Sequence, residues 1–227
     1  MAHVDAAAVV ARLRGMGSER DRAGMARFGI NVDGALGVSV TALRRLALEL
    51  PRDHGLAASL WETGVHEARI LASMVEEPER VTAQQMDRWA RDFDSWDLCD
   101  QCCQNLFWRT PFAESRSVAW ATRTREFEKR AGFALMASAA VKDRDAPDAR
   151  FLGYLKLIER EATDSRNFVR KAVNWALRQI GKRNRRLHRA ALASARRIAR
   201  VDDGAARWVA ADALRELNDP RTIGRLP

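Results

Sequence analysis

The feature that most constrains this chain is its unbroken helical periodicity, punctuated at short intervals by glycine, proline and capping residues. Apolar positions recur at three- and four-residue spacing throughout, and no segment shows the alternation of a convincing strand. Ala, Leu and Arg, all good helix formers, dominate. The pattern predicts helices over 6–16, 19–28, 40–50, 53–61, 65–76 and 82–93. It continues with 95–108, 112–121, 127–141, 149–161, 168–180, 187–200 and 205–217. Ser18, Ser39, Asp53, Thr82 and Ser95 stand where N-caps are needed. Thr82-Ala83-Gln84-Gln85 resembles a capping box. Gly29, Pro51, Gly64, Pro78 and Pro111 end or interrupt helices.

Four apolar helix starts lead with an arginine: Arg69-Ile70-Leu71-Ala72, Arg130-Ala131-Gly132-Phe133, Arg170-Lys171-Ala172-Val173 and Arg207-Trp208-Val209-Ala210. The last three lie about 40 residues apart, the length of a two-helix HEAT-type unit, and the longer first gap leaves room for the helix that begins at Ser95. The expectation is therefore an all-α chain, a curved α-solenoid of HEAT-like antiparallel helix pairs, forming one repeat domain over 1–227 with a concave face suited to duplex DNA.

Charge bears on what that face would meet. The chain carries 39 Lys and Arg against 30 Asp and Glu, a net charge of +9. Arg166, Arg170, Lys171, Arg178, Lys182 and Arg183 open a basic stretch that runs to Arg200, and no acidic residue stands between Asp164 and Asp202. Phosphate binding is the functional reading of that stretch, and a solvated outer face is the bland one. The three cysteines, Cys99, Cys102 and Cys103, are too few and too close for a disulfide framework. They fit a reducing, cytoplasmic setting. They are better read as small buried apolar groups than as metal ligands, since no histidine or fourth cysteine is near in sequence. No metal site or cofactor is expected. No signal-peptide pattern is visible at the start, no apolar run reaches the length of about 18 residues that a membrane span needs, and no heptad seam marks an oligomer, so a monomer is expected.

The stretch Ser95-Trp96-Asp97-Leu98-Cys99-Asp100 carries the most chemistry. Trp96 and Asp100 are one turn apart and share a helix face. By spacing alone, a tryptophan at a helix start is ordinary core and an aspartate in a first turn complements the dipole. The other reading sets an indole beside a carboxylate, a pair suited to stabilising a cationic sugar by cation–π attraction and charge. Asp97 and Asp100 could also act as a weak carboxylate pair.

In this order along the chain stand Gly24-Met25-Ala26-Arg27-Phe28, Gly37-Val38-Ser39-Val40 with Leu43-Arg44, Ser95 to Asp100, Lys129-Arg130-Ala131, and Asn167 to Arg178. As an ordered set spanning about residues 10 to 200, they resemble the DNA alkylation repair family of HEAT-like-repeat DNA glycosylases. That resemblance implies hydrolysis, without a metal, of the N-glycosidic bond of cationic alkylated purines such as 3-methyladenine and 7-methylguanine in double-stranded DNA. It implies that Asp100 is the catalytic carboxylate, that Trp96 and Trp175 flank the deoxyribose, that Arg130 lines the same cleft and that Arg178 contacts the backbone. Arg170, Lys171, Lys182 and Arg183 are the further DNA-binding candidates. Phe28 falls where the family often has tyrosine, which removes one hydrogen bond and leaves a stacking surface. Two other functions remain open: a DNA-binding solenoid of the same family that has lost the reaction, and a protein-binding scaffold.

Overall fold

A computed structural model describes residues 5–227, and among them every regular element is helical. The helices are α1 (Ala6–Gly15), α2 (Glu19–Arg27), α3 (Val40–Glu49), α4 (His54–Glu62), α5 (His66–Val75), α6 (Ala83–Arg91) and α7 (Trp96–Asn105). After a 3-10 turn at Phe107–Arg109 come α8 (Ala113–Trp120), α9 (Glu126–Lys142), α10 (Asp148–Glu161), α11 (Asn167–Gly181), α12 (Arg185–Ile198), α13 (Gly204–Leu217) and the short α14 (Pro220–Ile223). They group into two compact units, 1–110 and 111–227.

The punctuation works largely as its chemistry requires. Ser18, Ser39, Asp53 and Thr82 each accept a backbone N–H of the first turn they cap. Gly29 ends α2 with φ of 72°, a conformation that costs a side-chain-bearing residue but not glycine. Three details differ from the sequence expectation. The Thr82 box is half formed: Gln85 donates its side-chain amide to Glu76 at 2.7 Å rather than turning back to Thr82. The helix expected to reach Trp108 stops at Asn105 and tightens into the 3-10 turn. Beyond Asn218, Asp219 caps one more turn with Pro220 at its first position.

The first unit packs α5 against α3, α4 and α7. Its core includes an aromatic stack, Trp61 on Trp89 at 3.9 Å and nearly parallel, edged by Phe93. The second unit is layered as HEAT pairs are: α11 lies between α9 and α13, and α10 and α12 pack behind. Every residue of α9 from Glu128 to Ala140 is buried, which explains a helix apolar nearly all round. Gly132 lets α9 approach the end of α8, because a Cβ there would lie 2.4 Å from the Ala121 nitrogen.

Side-chain hydrogen bonds make the repeat visible in the second unit. Arg130 to the Phe168 carbonyl, Asn174 to Asp212, Arg178 to Glu216 and Arg197 to Glu159 each join residues 38 positions apart. The repeat is thus held by polar contacts one unit apart, close to the period read from the arginine-led helices.

One ion-pair cluster in this unit titrates far from neutrality. Lys129 reaches Glu161 at 2.6 Å and Asp164 at 2.8 Å, and Arg166 adds a bond to Asp164 at 2.6 Å. Burial alone would raise the Asp164 pKa, but the Arg166 and Lys129 hydrogen bonds outweigh it and hold it at about 2. A carboxylate with a depressed folded pKa contributes stability above its unfolded pKa of about 3.9 and loses it as pH falls toward the folded one. Asp164→Asn should therefore cost about 1 kcal/mol at pH 7, discounted for solvent screening. The difference should close near pH 2 in paired thermal melts. A gap that stays constant with pH would refute this.

Candidate active site and nucleic-acid face

The first turn of α5 organises the candidate site in the first unit. Glu67, only 1 % exposed, turns its carboxylate onto the loop before α3. It accepts the backbone N–H groups of Leu36 at 2.9 Å, Gly37 at 2.7 Å and Val38 at 3.1 Å. Gly37 has φ of 79°, and a Cβ there would sit 2.2 Å from the Ser18 carbonyl oxygen, so the loop lies hard against the start of α2.

His66, the neighbour of Glu67, faces the other way and meets Asp97 of α7 at 2.9 Å, Nε2 to Oδ2. Ser95 donates its hydroxyl to the other oxygen of Asp97 at 2.8 Å. Ser95 occupies the N-cap position as expected, but its hydroxyl accepts no backbone N–H of the first turn and instead donates to the carboxylate two residues on. Burial disfavours charge on both His66 and Asp97, yet their bond and mutual attraction raise the histidine and lower the aspartate. The contact thus favours the ionic form of the pair, and its histidine contribution to stability is lost as pH rises through the raised His66 pKa. Asp97 is thereby engaged by His66 and Ser95 rather than held as half of a carboxylate pair with Asp100.

Between these anchors lies a cleft of about 610 Å³. Arg20, Gly24 and Phe28 line one side, Gly37 to Val40 another, and His66, Ile70, Trp96, Asp97 and Gln101 the rest. Trp96 is half-buried, and its indole N–H donates to the Phe28 carbonyl at 3.1 Å, so the C-terminal end of α2 sets its orientation. Phe28 is 73 % exposed and offers the stacking surface expected of it. At about 100° per residue, Asp100 falls between Trp96 and Asp97 around the α7 axis, one turn further along. It is 8 % exposed and, unlike Trp96, Asp97 and Gln101, it is not among the residues that line the cleft.

The three cysteines are buried on α7, and burial pushes the Cys102 thiol well above its ordinary range. No group of three or more His, Cys, Asp and Glu among the described residues is placed to hold a metal ion. No helix among them is long and apolar enough to cross a membrane.

The remaining candidates belong to the second unit. Trp175 is half-buried against its core. Arg130 is turned inward at 6 % exposure and donates to the Phe168 carbonyl at 2.6 Å. Arg183 caps the end of α9, donating to the carbonyls of Ala140, Arg144 and Ala146 at 2.9 to 3.1 Å, and lies over the Phe151 ring. Arg170 stacks on Trp208 at 4.6 Å. Arg178 and Lys182 both reach Glu216. Lys171 is exposed and, among the described residues, has no acidic group within 4.0 Å; the same holds for Arg185, Arg189 and Arg200. The basic stretch thus finds acids after all, on α10 and α13 rather than within itself, and only part of it remains open to phosphates.

Sequence reasoning missed His66 and Glu67, which hold two walls of the cleft. A His-Glu pair at a helix start is common, and its partners lie about thirty residues away on either side.

The layered antiparallel pairs define the class of this protein as an all-α HEAT-like repeat fold. A solved structure described as "A new family of proteins related to the HEAT-like repeat DNA glycosylases with affinity for branched DNA structures" superposes with a TM-score of 0.77 at 19% identity, covering 93% of this chain and 95% of that one. The likeness establishes the shared fold. Residues 9–217 match the family model described as DNA alkylation repair enzyme, and the chain belongs to that family. No curated protein matches it.

Proposed function

We propose that this protein is a DNA glycosylase that removes cationic alkylated purines, of the 3-methyladenine and 7-methylguanine type, from duplex DNA. The observation that carries the reading is the first turns of α7, in which a half-buried indole borders a cleft and a nearly buried aspartate follows one turn on. Membership of the DNA alkylation repair enzyme family supports it.

An N-alkylated purine already bears positive charge and leaves as a neutral base, so the reaction needs little acid catalysis. As the C1′–N bond lengthens, positive charge builds on the sugar. Asp100 stabilises that charge and accepts a proton from the water that attacks C1′, while the electron pair of the broken bond leaves with the base. The Trp96 ring adds cation–π stabilisation and excludes solvent. The reading also gives Trp175 a part in base release, and Lys171, Arg170, Arg178, Lys182, Arg183 and Arg130 parts in holding DNA directly or through the fold.

The test is release of free base from duplex carrying defined N-alkylpurines, separated from spontaneous loss. Release should exceed the uncatalysed background and be unchanged by a chelator. None at high protein concentration would instead favour a second reading, a DNA-binding protein without the reaction. That reading draws support from the solved relative described as having affinity for branched DNA. It predicts tighter binding to a four-way junction than to duplex. Either reading requires affinity that falls linearly in log–log form with salt, and a flat response would leave only the protein scaffold.

A further inference from the structure

A second concavity lies wholly within the second unit, along the C-terminal ends of α9, α11 and α13, with a volume of about 1030 Å³. Five cations line it, Arg144, Lys182, Arg183, Arg221 and Arg225, against three acids, Asp148, Glu216 and Asp219. Arg144, Arg221 and Arg225 are exposed, and none has an acidic group within 4.0 Å among the described residues. Arg183 forms the wall, its guanidinium already engaged by the carbonyls of Ala140 in α9 and Ala146 in the loop beyond it.

At the edge of this groove, Glu216 is held in a particular way. One of its oxygens takes Lys182 Nζ at 2.5 Å and the other takes Arg178 Nη1. Burial would favour the neutral acid, but Lys182 and Arg178 keep its pKa below the usual value, so it is a carboxylate at neutral pH. An anion with two oxygens, each claimed by a different cation, matches what a phosphodiester offers through its two non-bridging oxygens. All three side chains are 26 to 33 % exposed, which leaves the cations within reach of a ligand from outside.

We propose that this groove is a nucleic-acid backbone-binding surface on which the Glu216 carboxylate competes with a phosphate for Arg178 and Lys182. Binding there exchanges a carboxylate for a phosphate on the two cations, while Arg144, Arg221 and Arg225 meet neighbouring phosphates. The competition lowers affinity for any duplex and flattens its salt dependence, because cations already neutralised release fewer counterions. The proposal rests on the reading that this chain holds DNA, adds a carboxylate that restrains that contact, and needs no chemistry at α7.

The experiment titrates a short undamaged duplex against the full chain over a range of salt concentrations. Glu216→Gln should bind ~3- to 10-fold tighter and steepen the log–log salt slope by about 1. Asp202→Asn is the control for the change in net charge, since Asp202 is an exposed acid off the groove, itself paired with Arg207. Its effect should be smaller. Adding Arg178→Ala and Lys182→Ala to Glu216→Gln should erase the gain. If Glu216→Gln folds poorly by thermal melt, Arg144→Gln, Arg221→Gln and Arg225→Gln together, all exposed, should weaken binding and lower the slope by about 2 to 3. A gain no larger than that of Asp202→Asn, or no loss in the triple variant, overturns the proposal. Because the duplex carries no lesion, either outcome is independent of whether base release occurs.

Discussion

Asp100→Asn should reduce release of alkylated purines about 1,000-fold, the scale expected when one preorganised charge is removed from beside a developing one. That corresponds to about 4 kcal/mol of transition-state stabilisation. The substitution keeps the shape of the side chain and removes its charge. The fold should survive, and affinity for an undamaged duplex should stay within about 2-fold, since the loss of a negative group leaves the phosphate contacts in place. Single-turnover release at saturating protein, set beside binding to the same duplex without a lesion, separates the two quantities. Release by the variant within about 3-fold of the parent would remove Asp100 from the chemistry.

The second large effect is on stability. Glu67→Ala should lower the stability of the chain by about 3 kcal/mol or more, because three backbone N–H groups lose a charged acceptor and are left in a buried loop. Glu67→Gln should cost nearly as much, since its amide sets a donor among donors. For a chain of this size the expected fall in melting temperature is roughly 10 °C. Because the loop from Leu36 to Val38 borders the cleft, base release should fall with it even at temperatures where the variant remains folded. A melting temperature within about 2 °C of the parent would mean that the loop is held by other contacts.

The contrast between Glu67 and the caps shows what the sequence could reveal. Ser18, Ser39, Asp53 and Thr82 act on backbone groups two or three residues ahead, so a reader of the sequence sees both partners at once. Gly29 and Pro51 work by their own backbone limits and need no partner. The helical class, the element boundaries to within a few residues and a repeat near 40 residues were legible for that reason. Ser95 stands at the N-cap position, but its side chain is turned to donate to Asp97 and caps no N–H, an orientation that spacing does not mark. Glu67 and His66 were invisible because each acts on a partner about thirty positions away that periodicity does not mark. The ion pairs of the basic stretch were hidden in the same way: it lacks acids locally, but its partners stand one repeat away, where Glu159 meets Arg197 and Glu216 meets Arg178. Trp96 and Asp100 were singled out by family resemblance, since spacing alone fits a core tryptophan and a dipole-facing aspartate, whereas the depth of Asp100 and the tether on Trp96 depend on packing.

That tether has one more consequence. The Trp96 indole is fastened to the main-chain oxygen of residue 28, not to its ring. Whatever aromatic group stands at 28, the anchor point stays the same, so Phe28→Tyr changes the chemistry offered at the rim while leaving the indole where it is. The protein has in effect separated holding its tryptophan from choosing what the neighbouring ring presents, and the face offered at the cleft rim can be changed at one position without disturbing the other.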